Sequence, residues 1–286
     1  MIIIKKINEM SKACLAGRRE GKTIGFVPTM GFLHNGHVSL IKKARVENDM
    51  VVVSVFVNPI QFLPGEDFSS YPRSFENDKK ICKDEKVDIL FFPSAEEIYP
   101  LRFSTFVEET DLSLPLCGKD RPGHFKGVTT VVLKLFNIIQ PDTAYFGQKD
   151  AQQALVIKKM TEDLNIPVKV KVMPIIREKD GLAMSSRNRY LSADERRKAP
   201  AIYESLKMAE KMILEGEINA LKIKKRIAEA VNSATGGKID YIEIVCPVSM
   251  KALKRVESGA LIAIAVKLGV ARLIDNIIVK TPEKRK

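Results

Sequence analysis

The chain has 286 residues, 45% of them hydrophobic and 29% charged, with no tryptophan and a formal net charge of +12. That length favours one large or two medium domains, and the composition is that of an ordinary globular protein with no low-complexity stretch or repeat. The four cysteines (Cys14, Cys82, Cys117, Cys246) form no CxxC pair, which argues against a zinc ribbon or disulfide framework and for a reducing compartment. The opening "MIIIKKINEM" is charged too soon for a signal peptide, and the longest apolar run, 260–266, is strand-sized, so a cytoplasmic protein without a membrane segment is expected. The densest basic run, "LKIKKR" (221–226), has no interleaved aromatic residues, and a solvated helix face is expected there rather than a nucleic-acid surface.

In chain order, "TIGFVPT" reads as a buried strand, "GHVSLIKKARVEN" as an amphipathic helix, "MVVVSVFV" as a second strand, 74–85 as a helix and "VDILFFP" as a third strand. A helix over "GVTTVVLKLFNIIQ", a strand at "TAYFG" and a helix from Asp150 to about Leu164 follow. Continuous β-branched runs separated by helices imply a parallel sheet covered on both faces, the doubly wound α/β class, which holds ligands at the carboxyl ends of its strands. After "VKVKVMPIIRE" the texture changes. Ser192 and Glu195 have capping-box spacing and predict one long charged helix to about Glu215; a second helix runs near 219–233, and "TGGK" then breaks the chain. "IDYIEIV", "ALIAIAVKL" and "ARLIDNIIV" close it as three strands. The expectation is a doubly wound, Rossmann-like N-terminal domain over 1–178 and a smaller α+β domain over 179–286, with the boundary in the polar stretch 178–189.

Two of only three histidines stand in "PTMGFLHNGH", at His34 and His37. A helix opening near Gly36 would point unsatisfied N–H groups and a positive dipole end over the turn. Gly31 and Gly36 would let a phosphate or purine approach the backbone, and neutral imidazoles would supply directional N–H donors. A metal pair and two incidental polar histidines are the alternatives, the former weak because His124 is the only other histidine. No G-x-x-x-x-G-K-[ST] loop exists, so phosphate binding would be spread over several segments.

"PTMGFLHNGH" resembles the H-x-G-H signature of the nucleotidyltransferase and class I synthetase superfamily. Together with "FVNPIQF" (56–62), "DRPGHFKGV" (120–128), "YFGQKDAQQ" (145–153) and "DGLAMSSRNRYLS" (180–192), it is similar to the pantothenate synthetase (pantoate–β-alanine ligase) family. The likeness is strong over about 24–192 and weaker beyond. It implies a homodimer that uses ATP and Mg²⁺ to join pantoate to β-alanine through pantoyl adenylate, with the second domain closing over the active site. It also implies that Met30, Gly31, Phe32, Leu33, His34, Asn35, Gly36 and His37 line ATP, His34 and His37 acting catalytically with Lys149. Further ATP contacts are implied at Gly147, Gln148, Lys149, Asp150, Ile176 (through its backbone), Met184, Ser185, Ser186 and Arg187. Asp150 would meet Mg²⁺ or a ribose hydroxyl. Gln61 and Gln153 are implied to hold pantoate, Gln61 lying also near β-alanine. Amides suit that task, because a close ion pair would hold back the electrons of an attacking carboxylate. Another H-x-G-H adenylyltransferase, or a basic RNA-binding module, are the competing readings.

Overall fold

The computed structural model describes residues 1–280, which divide by their contacts into two units: 1–148 with 152–174, and 149–151 with the chain from 175 onward. In the first unit the elements run β1 (Ile2–Ile4), α1 (Ile7–Arg19), β2 (Ile24–Thr29), α2 (Asn35–Glu47), β3 (Met50–Val55), a 3-10 turn (Pro59–Gln61), α3 (Phe75–Asp84), β4 (Ile89–Phe91), α4 (Ala95–Ile98), α5 (Cys117–Asp120), α6 (His124–Ile139), β5 (Thr143–Gly147), α7 (Ala151–Asp163) and β6 (Lys169–Met173). The six strands form one sheet in the order β1-β4-β3-β2-β5-β6, every recorded pairing parallel. This is the doubly wound arrangement the strand runs predict. The chain turns from β2 outward to β3 and β4, then returns to place β5 on the other side of β2.

Alternation along the strands accounts for the two layers. Phe26, Val52, Ala144 and Phe146 pack with Met10 and Cys14 of α1, Val128 and Phe136 of α6, and Ile157 of α7. Their neighbours Val27, Val51, Val53 and Tyr145 pack with Leu40 and Ile41 of α2 and Cys82 of α3. At the switch point the sheet opens: β2 pairs with β3 from Ile24 to Thr29 but with β5 only at Gly25 and Phe26. Ile24 uses both its N–H and its C=O on Asp142 at the start of β5, so even-numbered residues of β2 face that strand. Pro28 has that parity and no N–H to give, so the ladder cannot continue there.

In the second unit, α8 (Ala193–Lys198), α9 (Ala201–Leu214) and α10 (Ala220–Thr235) precede an antiparallel sheet β7-β8-β9 (Lys238–Val245, Ala260–Leu268, Ala271–Val279). Ile202, Leu206 and Ile213 of α9 and Ile223, Ile227 and Val231 of α10 share a core with Ile244, Ile262 and Ile264. The single long helix expected up to Glu215 is two helices. The capping box of Ser192 and Glu195 is present, but Pro200 supplies no N–H and the helix stops at Lys198 before restarting at Ala201. The basic residues of α10 are ion-paired: Lys222 with Glu217, Lys224 with Glu243, and Lys225 and Arg226 with Glu229. Among the described residues no helix is long and apolar enough to cross a membrane.

Candidate active site

The helix α2 opens at Asn35, one residue earlier than expected, with His34 as its N-cap. Its Nδ1 accepts the N–H of Gly36 at 3.1 Å, while Nδ1 of His37 accepts the N–H of His34 at 3.3 Å. The rings lie 4.1 Å apart. A nitrogen that accepts a backbone N–H carries no proton, so both imidazoles are neutral with the proton on Nε2. The histidines therefore satisfy orphan N–H groups of the helix start through Nδ1 and carry their protons on Nε2.

The turn before them is held from α3. Asp78, 1% exposed, accepts the N–H of Phe32 at 2.9 Å and of Leu33 at 2.7 Å. Phe32 sits at φ +51°, a conformation an unsupported bulky residue rarely keeps. At Gly31 (φ +84°) a Cβ would lie 2.9 Å from Val55 and 3.0 Å from the Asp78 carboxylate, so only glycine fits. Burial pushes the Asp78 carboxyl upward, and the two N–H donors offset part of that. Sequence reasoning missed Asp78; "FENDKKICKD" looks like a helix with its acids in water.

Gln61 follows β3 and is 8% exposed. Its amide orientation is fixed by a chain of partners: Asn58 Nδ2 donates to the Gly127 carbonyl at 3.1 Å and to Gln61 Oε1 at 3.0 Å. Gln61 Nε2 then faces the sulfur of Met30 at 3.2 Å, a weak acceptor, so this side chain presents N–H rather than C=O. Tyr99 completes the chain with its hydroxyl on Asn58 Oδ1 at 2.7 Å.

The paired amides of α7 differ. Gln152, 6% exposed, accepts from Cys117 N–H and donates to the carbonyls of Leu112 and Pro115, locking the 112–117 loop. Gln153 is half-buried, and among the described residues no group hydrogen-bonds its amide. Gly147 ends β5; Gln148, Lys149 and Asp150 form a 3-10 turn rather than the first turn of the α-helix, which begins at Ala151.

Within the second unit, Lys149 lines a small cavity with Ser185, Asn188 and Asp275, and its Nζ lies 3.8 Å from Asp150. Asn276 donates to the Lys149 carbonyl at 3.0 Å. Asp275, 4% exposed, is gripped bidentately by Arg177 at 2.6 and 3.0 Å, and the guanidinium stacks 3.6 Å over Tyr203. The stretch expected as a polar loop is ordered backbone: Met184 donates to Ile176, Arg177 bridges Ala183, and Ser186–Tyr190 is a 3-10 helix capped by Ser185 through Arg187 N–H. Ser185 Oγ accepts there and keeps its own hydrogen to donate, Ser186 is buried, and Arg187 is half-buried. Arg196 ties the hairpin by bridging Glu178 and Asp180, each at 2.6 Å.

Asp150 is a partly exposed carboxylate beside Lys149, and no cluster of three His, Cys, Asp or Glu suited to a metal occurs among the described residues. That donor set fits Mg²⁺, which keeps several waters and takes one or two carboxylates alongside substrate phosphates. It does not fit a resident metal held by protein alone.

The fold and these side chains define the class: a two-unit α/β protein of the Rossmann-like type, with polar groups at the carboxyl ends of β2, β3 and β5. A family model described as pantoate–beta-alanine ligase matches residues 2–278. Among curated relatives, a pantothenate synthetase of Thermotoga neapolitana is 55% identical over 278 residues, covering 97% of this chain and 99% of the relative. A crystal structure of pantothenate synthetase from Thermus thermophilus superposes with a TM-score of 0.91 at 43% identity, covering 97% of this chain and 99% of that one. A pantoate–beta-alanine ligase from Francisella tularensis, complexed with beta-gamma ATP and beta-alanine, gives 0.80 at 39% identity, with 97% of each chain covered. The chain belongs to the pantoate–beta-alanine ligase family and is an enzyme of that ligase class.

Proposed function

We propose that this ligase works in two half-reactions. The carboxylate of pantoate attacks the α-phosphorus of ATP, forming pantoyl adenylate as the bond to the β-phosphate breaks and pyrophosphate leaves. The amine of β-alanine then attacks the acyl carbon, an amide forms, its proton passes to solvent, and AMP departs with the electron pair of the broken acyl–oxygen bond of the mixed anhydride. The observation that carries this reading is the reciprocal cap of His34 and His37 at the carboxyl end of β2, which fixes both imidazoles neutral with the proton on Nε2. Charge building on phosphate oxygens is stabilised by such preorganised donors without a proton having to move. Lys149, the Ser185 hydroxyl and Arg187 are the further phosphate contacts, as a point charge, a donor and a guanidinium fork respectively. The backbones of residues 30–36 and of Gly147, Gln148, Ile176, Met184 and Ser186 complete the nucleotide contacts.

Gln61 and Gln153 hold pantoate. Gln61 offers N–H to a carboxylate or hydroxyl oxygen, which orients the nucleophile while leaving its lone pairs more available than an ion pair would. Asp150 would be the residue to hold Mg²⁺, and the chemistry that ion would supply there is neutralisation of phosphate charge. Two copies of the chain form the working enzyme.

The test is isotope exchange between pyrophosphate and ATP. Exchange that requires pantoate and proceeds without β-alanine is the expected result. Exchange that appears only with β-alanine present would eliminate the discrete adenylate.

A further inference from the structure

No residue of the segment 120–128, "DRPGHFKGV", has been given a substrate contact above, yet three of its residues converge on Gln61. Arg121 grips Glu66 with two hydrogen bonds, Nε to Oε1 at 2.6 Å and Nη2 to Oε2 at 2.5 Å. The same guanidinium reaches the Gln61 carbonyl through Nη2 at 3.3 Å and the ring of His124 through Nη1 at 3.0 Å. Arginine only donates, so Nε2 of His124 must accept. The proton therefore sits on Nδ1, which donates to the Gln61 carbonyl at 2.8 Å. A charged imidazolium would set N–H against N–H beside a fixed cation, so the ring is held neutral.

The clamp is part-buried on both sides. Arg121 and Glu66 side chains are 13% and 23% exposed, and Glu66 also accepts the Leu63 N–H at 3.1 Å. Burial opposes ionisation of Glu66, but the Arg121 hydrogen bonds and the Leu63 N–H outweigh it and hold the carboxyl below the usual carboxylate range. From beneath, Gly127 lets α6 approach so closely that a Cβ would stand 2.5 Å from the Ile60 carbonyl oxygen and 2.7 Å from Gln61 Cα.

We propose that Glu66, Arg121 and His124 are positioning residues for the acid substrate. They pin the backbone of Gln61 so that its Nε2–H group is presented at a fixed place. This rests on the reading of Gln61 as a pantoate contact. Its chemical basis is that an amide held to within a fraction of an ångström orients a nucleophile, while one on a loose 3-10 turn does not.

The experiment measures pantoate and ATP dependences of pyrophosphate exchange for His124→Ala, His124→Asn, Glu66→Gln and Gln61→Ala, and for His124→Ala combined with Gln61→Ala. His124→Ala is expected to raise the KM for pantoate about 10-fold and to change the KM for ATP less than about 2-fold, the size of one lost hydrogen bond. His124→Asn places an amide N–H near the position of Nδ1 and should recover most of the loss. Glu66→Gln keeps the shape but weakens the grip on Arg121, and should shift pantoate in the same direction by less. In the Gln61→Ala background the His124→Ala change should add under about 2-fold, because the group it positions is gone. Effects that multiply in full across the two sites would overturn the proposal and make His124 a contact in its own right. Equal rises for pantoate and ATP would overturn it too, in favour of a general scaffold role. If Gln61→Ala itself left pantoate use unchanged, the pantoate reading of Gln61 would fail first, a result separable from the others.

Discussion

Leu33 and Asp78, 45 residues apart in sequence, meet where the backbone N–H of one donates to the carboxylate of the other at 2.7 Å. The second oxygen of Asp78 takes the N–H of Phe32, so one buried side chain from α3 holds both residues leading into the histidine turn. Leaving a buried donor unsatisfied costs about 1–3 kcal/mol. Asp78→Ala strands two, so a destabilisation of about 2–5 kcal/mol is expected, read as a lowered denaturant midpoint with unchanged slope. Asp78→Asn keeps one acceptor and should lie between. Wild-type stability in the alanine variant would mean the turn holds itself.

The caps of His34 and His37 make a sharper prediction. Nitrogen-15 spectra of the imidazoles should show Nδ1 unprotonated and Nε2 protonated in both residues. His37→Asn puts an acceptor where Nδ1 was and removes the Nε2 donor; His37→Gln does the reverse. The first should keep the melting transition and lose turnover by about 10²–10³-fold, the usual cost of one preorganised transition-state donor. The second should melt earlier and keep more activity. The opposite ranking would show that capping, rather than donation, is what the enzyme needs from His37.

Gly127 lies inside α6, where exchanging glycine for alanine in an exposed helix stabilises by about 1 kcal/mol. Here the new methyl would meet backbone at 2.5 Å, which flexible side-chain motion cannot relieve. Overpacking of this kind costs about 1–3 kcal/mol, so the sign should reverse. Gly127→Ala should lower the melting temperature and weaken pantoate use together. A more stable variant would show that the turn at Ile60 and Gln61 yields readily.

These cases show what the sequence holds and what it hides. A continuous apolar run located β8 at 260–268, because a strand buried on both faces leaves a nearly unbroken signature; in β9, at 271–279, Arg272, Asp275 and Asn276 interrupt the run. The helix α1 escaped, since it buries Met10, Cys14 and Gly17, a correct spacing written in residues that carry little apolar weight. Pro200 shows a local rule, capping-box continuation, losing to a stronger one. The histidine pair was legible as a motif, but its tautomers were not, because they depend on which N–H groups the backbone brings to each ring. Asp78, and the choice between Gln152 and Gln153, depend on residues about 35–45 positions away. No local pattern records such contacts.

The cysteines offer a test of local electrostatics. Burial pushes the thiols of Cys14 and Cys82 up to about 12, so neither should react in the folded protein near neutral pH. Cys246 is part-exposed, and the Ser249 hydroxyl, then the N–H groups of Ser249 and Val248, hold its pKa below the usual thiol value. It should therefore be the first thiol labelled by a disulfide reagent. Ser249→Ala removes a donor that favours the thiolate, so the pKa rises, the thiolate fraction near neutral pH falls, and labelling slows. Fast labelling of Cys14 or Cys82 under native conditions would contradict their burial.

The last prediction separates the two substrates. Gln153 sits on the first turn of α7 with an amide no described residue engages, while its neighbour Gln152 is committed to the 112–117 loop. Gln153→Ala should therefore weaken pantoate use by an amount equal to one uncharged hydrogen bond, about 0.5–1.5 kcal/mol or roughly 2- to 12-fold, and leave ATP use nearly unchanged. Gln152→Ala should instead lower stability, because it strands the Cys117 N–H and two carbonyls. Lys149→Ala should damage the adenylation rate while pantoate recognition persists, since an ammonium on phosphate acts mainly as charge builds. Pantoate and ATP dependences of pyrophosphate exchange, with a thermal melt for each variant, resolve the three. Equal losses for both substrates in Gln153→Ala would mean that the amide supports the site as a whole, and its assignment to pantoate would have to be withdrawn.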